Sequence, residues 1–331
     1  MPARVLRDSH GRVIGDLRIS VTDRCNFRCT YCIPVENIEW KKKHEILTYE
    51  EIERLTRIFV ELGVRKVRVT GGEPLLRPGI ISLIEQIAAI EGVDDLALTT
   101  NGKLLRGFAT DLRKAGIHRL NVSLDSLQEA KFFMMTKRAA LADVLDGIEA
   151  AKAAGFFPIK INAVAIRGVN DDELIDFARF AQETGHTIRF IEFMPLDSGH
   201  QWSREQVVPG REIFDRIHAV LPLEKLPPRN PAETARRYRF VDGAGEIGII
   251  CPVTDPFCGN CNRLRVTADG QLRTCLFSHH EHDLMGPMRA GESDDQIAER
   301  IAAAVWEKES GHRINQTDFQ QPLRTMSCIG G

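Results

Sequence analysis

Between residues 16 and about 193 the chain alternates short β-branched runs with longer amphipathic ones. The short runs are DLRISVT (16–22), KVRVT (66–70), DLALTT (95–100), HRLNVSLD (118–125), PIKINAVAI (158–166) and TIRFIEF (187–193). Their length and their Val, Ile and Thr content predict strands. The longer runs carry apolar residues at three- and four-residue spacing. In the first, Thr48 and Glu51 form a capping box, and Ile52, Leu55, Ile58, Phe59 and Leu62 recur on one face before Gly63 ends it. Similar stretches cover 79–91, 103–115, 141–154 and 171–184, with Gly92, Gly116, Gly155 and Gly185 at or just beyond their ends. Repeated strand–helix units predict an α/β fold with a parallel sheet or barrel. After about residue 200 the alternation lapses. LPLEKLPPRNPAE (221–233) predicts a linker or covering loop, and YRFV (238–241) and EIGIIC (246–251) predict strands of a smaller second region.

Polar turns follow these strands. Three cysteines come after the first, Gly71 to Pro74 (GGEP) after the second, Thr99 to Gly102 (TTNG) close the third, Ser123 to Asp125 (SLD) close the fourth, and Met194 and Pro195 follow the sixth. The fifth carries Lys160 and Asn162 two apart, hence on one face. Polar turns gathered at the C-terminal ends of parallel strands predict one shared site there.

Charge and composition then exclude several classes. The 331 residues hold 44 Lys and Arg against 46 Asp and Glu, a net charge of −2, which argues against nucleic acid and charged membrane surfaces as partners. MPARVLRDSHGR has no apolar run after its charges, so no signal peptide is read, and no apolar stretch approaches the ~18 residues of a membrane span. A cytoplasmic location is expected, where clustered cysteines serve metals or catalysis.

Of the eight cysteines, six form two triads. Cys25, Cys29 and Cys32 (C-x3-C-x2-C) bring three sulfurs into one loop, a spacing that suits an iron–sulfur cluster or zinc. On a four-iron cluster, three cysteines leave one iron open. Cys258 and Cys261 form a CxxC, and Cys275 lies beyond Asp269-Gly270, a hairpin signal that would return it to Cys261. Spacing leaves this second triad open between iron–sulfur and zinc, with Cys251, His279, His280 or His282 as a fourth zinc ligand.

C-x3-C-x2-C after a first strand, with GGEP after a second, resembles the radical S-adenosylmethionine superfamily. PVTDPFCGNCNRLRVTADGQLRTCLF and the terminal Gly330-Gly331 narrow that resemblance, over nearly the whole chain, to the branch that cyclises GTP in molybdenum cofactor biosynthesis. The resemblance implies an incomplete TIM-type barrel of six strand–helix units (1–220), closed by a C-terminal region (221–331) with a second Fe–S cluster and a Gly-Gly tail. It implies two [4Fe–4S] clusters, on Cys25, Cys29 and Cys32 and on Cys258, Cys261 and Cys275. Tyr31, Gly71, Gly72, Glu73, Ser123 and Met194 match positions for S-adenosylmethionine. Arg18, Arg68, Thr99, Lys160, Arg263 and Arg265 match positions for GTP. Arg18, Arg263, Arg265, Gly330 and Gly331 are the expected catalytic set. Five of the six GTP positions are basic, as a triphosphate requires. Implied partners are a flavodoxin-like or other reductant, a downstream cyclic pyranopterin monophosphate synthase and a second copy of the chain. Cys251 and Cys328 fall outside the triads; Cys251 reads as a small buried strand residue, and Cys328 as an oxidation-prone thiol in the tail.

Overall fold

The computed structural model describes residues 5–33, 40–197, 199, 201–322 and 324–330. Six strands alternate with helices: β1 (Asp16–Ser20), α1 (Tyr49–Glu61), β2 (Lys66–Thr70), α2 (Ile80–Ala88), β3 (Asp95–Thr100), α3 (Leu105–Lys114), β4 (Arg119–Ser123), α4 (Glu129–Thr136), α5 (Leu141–Ala153), β5 (Lys160–Ala165), α6 (Leu174–Thr184) and β6 (Thr187–Glu192). Then come α7 (Gly210–His218), β7 (Leu223–Leu226), β8 (Arg236–Phe240), β9 (Glu246–Ile250), β10 (Arg263–Val266), β11 (Gln271–Arg273), β12 (His282–Asp283), α8 (Met285–Arg289), α9 (Asp294–Trp306) and α10 (Met326–Ile329).

β1 to β6 run parallel in chain order, the core of an incomplete barrel. The full sheet has twelve strands in the order β12-β11-β10-β1-β2-β3-β4-β5-β6-β9-β8-β7 and does not close. β10 adds parallel to β1, and β9 adds parallel to β6. Both edges of the six-strand unit are therefore hydrogen-bonded by strands from the C-terminal third, which removes two exposed edges. Strands from both sides of the expected 220/221 boundary share this sheet.

Inside–outside alternation is clear in β2 and β5. In β2, Val67 and Val69 are buried in the main core, while Lys66 and Arg68 alternate with them on the opposite face. Ile52, Leu55, Ile58 and Phe59 of α1 belong to that same core. Thr48 caps α1, accepting from Glu51 N, as the capping box predicted.

Two elements depart from the sequence reading. The covering-loop assignment for 221–233 holds only in part: Leu223–Leu226 form β7, paired with β8, because Leu223 packs into the core opposite Phe240. The unpredicted α4 (EAKFFMMT) buries Phe132 and Met135 while Phe133 and Met134 stay exposed, so its apolar residues give no helical stripe.

Candidate active site

The first cysteine loop follows β1, and the GGEP turn after β2 docks on it. Gly72 N donates to Thr22 O and Glu73 N to Arg24 O, each at 2.7 Å. A Cβ at Gly72 would lie 2.3 Å from Arg24 O, and one at Gly71 would lie 2.9 Å from Thr22 O. The glycines therefore have a reason nearer than any ligand: they let two backbone segments touch. Glu73 is fully buried and accepts from Leu75 N (3.1 Å), Thr100 Oγ1 (2.8 Å) and Asn101 N (2.7 Å). Burial lifts its carboxyl to about 7. Its side chain thus ties the second turn to the end of β3.

Asn101 continues the chain of contacts, donating through Nδ2 to Asn26 Oδ1 at 2.7 Å and to Cys25 Sγ at 3.8 Å. Phe27 N also donates to Cys25 Sγ, at 3.4 Å. Burial pushes the Cys25 thiol up to about 11; Cys29 and Cys32 are pushed up by burial first and then by the charge of a neighbouring cysteine. Three buried thiols that repel one another as thiolates are a donor set that an iron cluster satisfies, because the metal supplies the missing positive charge. Tyr31 donates its hydroxyl to Asp125, whose other oxygen accepts from Val164 N at 2.8 Å. Burial lifts the Asp125 carboxyl to about 6, against the pull of those two donors. Ser123 ends β4 on the same sheet edge, and Met194 follows β6 there, packed beside a small cluster that includes Leu196 and Val253.

The hairpin that the second triad's spacing called for is formed. Cys258 opens a single tight turn closed by Cys261 N donating to Cys258 O at 3.0 Å. The β10–β11 hairpin turns at Gly270, φ +73°, whose N donates to Thr267 O at 2.9 Å, and returns the chain to Cys275. Burial works against the Cys261 thiolate, yet Arg263 and then Lys308 outweigh it and bring the thiol down to about 7. Arg263 Nη2 donates to Cys261 Sγ at 3.3 Å. Two of the fourth zinc ligands weighed above are engaged elsewhere: Cys251 is buried with its Sγ against Gly210, and His279 Nε2 lies 3.0 Å from Gln320 O. Among the described residues, no three His, Cys, Asp or Glu side chains converge as one ion requires. The cationic setting of Cys261 suits a thiolate ligand, which an iron cluster or zinc would both take.

Between the two cysteine sites lies the lumen, and it is cationic. Register places Arg18 between Arg68 and Arg265, and Thr99 beside Asn121, itself beside Lys160. Arg18, Arg68, Lys160 and Arg263 line a cavity of about 120 Å³, with Lys66, Arg119 and Arg189. Arg68 donates to Thr99 Oγ1 at 3.4 Å, and Nε of both Arg18 and Arg68 is buried without a partner. Burial, then the charges of Arg189, Arg119 and Arg68, bring Lys160 down to about 7. Burial and Arg68 likewise bring Arg189 down to about 9. Of the lining acids, Glu246 is held by Arg237 at 2.9 Å, and the lining Arg119 is chelated by Asp95 from outside the cavity. Buried cations with orphaned donors call for a polyanion.

The C-terminal tail enters from the other side. Arg265 donates to Ile329 O at 3.4 Å and to Gly330 O. Gly330 has φ +75°, and a Cβ there would lie 2.5 Å from Thr70 Oγ1. Gly331 lies outside the described residues. Cys328, on α10, accepts from Thr325 Oγ1 at 3.6 Å. Sequence reasoning passed over Arg189, Lys66, Arg119 and Asn101. Arg189 carried a usable signal: a charged residue inside TIRFIEF, alternating with Ile188 and Phe190, must face a lumen or a partner.

A partial parallel barrel with three cysteines after β1 and GGEP after β2 defines a radical S-adenosylmethionine protein, and residues 19–181 match the Radical SAM superfamily model. Residues 186–314 match the Molybdenum Cofactor Synthesis C family. The chain is 49% identical to the GTP 3′,8-cyclase of Rhodopirellula baltica (98% of this chain, 92% of the relative) and 47% identical to that of Streptomyces coelicolor (99% and 97%). It belongs to the GTP 3′,8-cyclase family. The fold is also similar to Streptococcus suis SuiB bound to precursor peptide SuiA, with a TM-score of 0.64 at 14% identity over 96% of this chain and 76% of SuiB. Among the described residues no helix is long and apolar enough to cross a membrane.

Proposed function

We propose that the chain is a lyase that converts GTP to (8S)-3′,8-cyclo-7,8-dihydroguanosine 5′-triphosphate, the first step of molybdenum cofactor biosynthesis. A [4Fe–4S] cluster held by Cys25, Cys29 and Cys32, with S-adenosylmethionine, would supply the radical chemistry that removes the 3′ hydrogen of GTP. Bonding of C3′ to C8 of guanine would then be completed by one electron from a reductant and one proton from solvent. The protein's own residues hold and orient. The observation that carries this reading is the set of lumen cations, Arg18, Arg68 and Lys160, of which Arg18 and Arg68 each keep a buried Nε without a partner.

In this reading those three residues, with Thr99, Arg263 and Arg265, bind GTP, and Arg263 and Arg265 link it to a second [4Fe–4S] cluster on Cys258, Cys261 and Cys275. Tyr31, Gly71, Gly72, Glu73, Ser123 and Met194 surround S-adenosylmethionine, Gly71, Gly72 and Glu73 through backbone because the Glu73 carboxylate is already satisfied. Arg265, holding Gly330 O, brings the tail to the reacting region, where Gly331 would also serve. Residues 1–220 act as the barrel and 221–331 as its closing region. The protein works in the cytoplasm, with a flavodoxin-like reductant, a downstream cyclic pyranopterin monophosphate synthase and a second copy of the chain as partners. Anaerobic incubation with GTP, S-adenosylmethionine and dithionite, read by mass spectrometry, tests it. The expected result is 5′-deoxyadenosine together with an isomer of GTP; 5′-deoxyadenosine formed at the same rate without GTP would refute the substrate.

A further inference from the structure

Lys308 follows α9, and only 2% of it is exposed. Its Nζ donates to Arg263 O at 3.2 Å and to Thr274 O. Arg263 lies two residues past Cys261, and Thr274 immediately precedes Cys275, so one ammonium joins the two strands that present those cysteines. Cys258 is held by a different cation. Arg12 Nη1 donates to Cys258 O at 2.9 Å and Nη2 to Glu309 O at 2.6 Å.

The two cations differ in how their charge is met. Arg12 Nε meets Asp8 Oδ2 at 2.5 Å, a buried ion pair. Both acceptors of Lys308 are neutral carbonyls. The nearest acid, Glu309, turns its carboxylate to Thr274 Oγ1 at 2.7 Å. A buried ammonium facing only neutral acceptors is costly unless a negative group stands close by. The groups that face it are the Cys261 and Cys275 thiols, with Glu309 on its own segment and Arg263 across from it.

We infer that Lys308 is a positioning residue of the second three-cysteine site, fixing its two strands and supplying the positive charge against which an iron cluster on Cys258, Cys261 and Cys275 is reduced. The inference rests on the proposal that this triad holds such a cluster. Removing the charge should make the cluster harder to reduce, because added electron density loses a nearby cation.

The test uses the full chain, reconstituted anaerobically with iron and sulfide. Cys25, Cys29 and Cys32 are changed to Ala so that only the second cluster is read. Potentials are measured by redox titration followed by electron paramagnetic resonance. Lys308→Gln keeps a hydrogen-bond donor but not the charge, and Lys308→Arg keeps the charge. For Lys308→Gln the expected result is about a tenfold shift toward the oxidised cluster, about 59 mV for one electron. Lys308→Arg should stay near the parent value. An unchanged potential in Lys308→Gln, or an equal shift in Lys308→Arg, would overturn the role of Lys308. No iron bound by the parent background would overturn the cluster itself, and the inference with it.

Discussion

Lys160 sits in the lumen with its ammonium brought down to about 7 by burial first and then by Arg189, Arg119, Arg68 and Arg229. In the empty pocket at neutral pH it is therefore half charged. A triphosphate among those cations reverses the balance, because its negative charge favours the protonated amine. Binding should then take up about half a proton at pH 7 on account of Lys160. The sign follows directly: the free-state value is near 7 and the bound-state value is higher, so affinity is full below pH 7 and falls as pH rises above it. With the bound-state value above about 9, the dissociation constant rises about tenfold between pH 6 and pH 8, or about 1.4 kcal/mol. The γ-phosphate titrates in the same range, so the difference between proteins carries the information. Isothermal titration calorimetry with GTP, in buffers of different ionisation heat, should show the extra proton uptake in the parent chain and its loss in Lys160→Gln. Lys160→Arg should keep affinity at pH 8 while losing the slope. Equal proton uptake by the parent and Lys160→Gln would refute the reasoning.

Three further outcomes follow from other contacts. Gly72→Ala places a Cβ 2.3 Å from Arg24 O, which is backbone and cannot swing aside, so iron per chain should fall from about eight to about four; retention of all the iron would mean that the loops can part without loss. Asp125→Asn weakens a buried, charge-assisted bond to Tyr31 and should cost about 1.5–3 kcal/mol in denaturant unfolding, with less than additive loss when combined with Tyr31→Phe. Strict additivity would show the two side chains to be independent. Gly330→Ala meets Thr70 Oγ1 at 2.5 Å with φ +75°, so the tail should leave its seat and become cleavable by carboxypeptidase; a tail as resistant as the parent's would contradict that contact.

The barrel was legible because its signals are local. Val67 and Val69 alternating with Lys66 and Arg68 can be recognised within one strand, and Thr48 with Glu51 within one turn. The hairpin between Cys261 and Cys275 was legible for the same reason, since Asp269-Gly270 sets a turn within ten residues of both its strands. Some local signals still misled. Leu223–Leu226 is too short and too charged to read as a strand until Leu223 finds Phe240, and α4 lacks a polar face because its surroundings bury only part of it.

By itself, then, the sequence determined the strand–helix order, the two cysteine triads and the basic character of several strands, all properties of spacing along the chain. Tertiary structure alone decided which distant residues answer one another. It placed β9 and β10 on opposite sides of the six-strand unit, and Arg263 and Lys160 line one cavity although over a hundred residues separate them. Only folding made Lys308 a partner of Arg263 and Thr274, and Gly330 a neighbour of Thr70. The physical reason is that the value of a charge is set by what surrounds it. An Arg or Lys in a string of letters is a solvated cation by default, and only burial in the folded lumen removes the water and leaves its donors unmet.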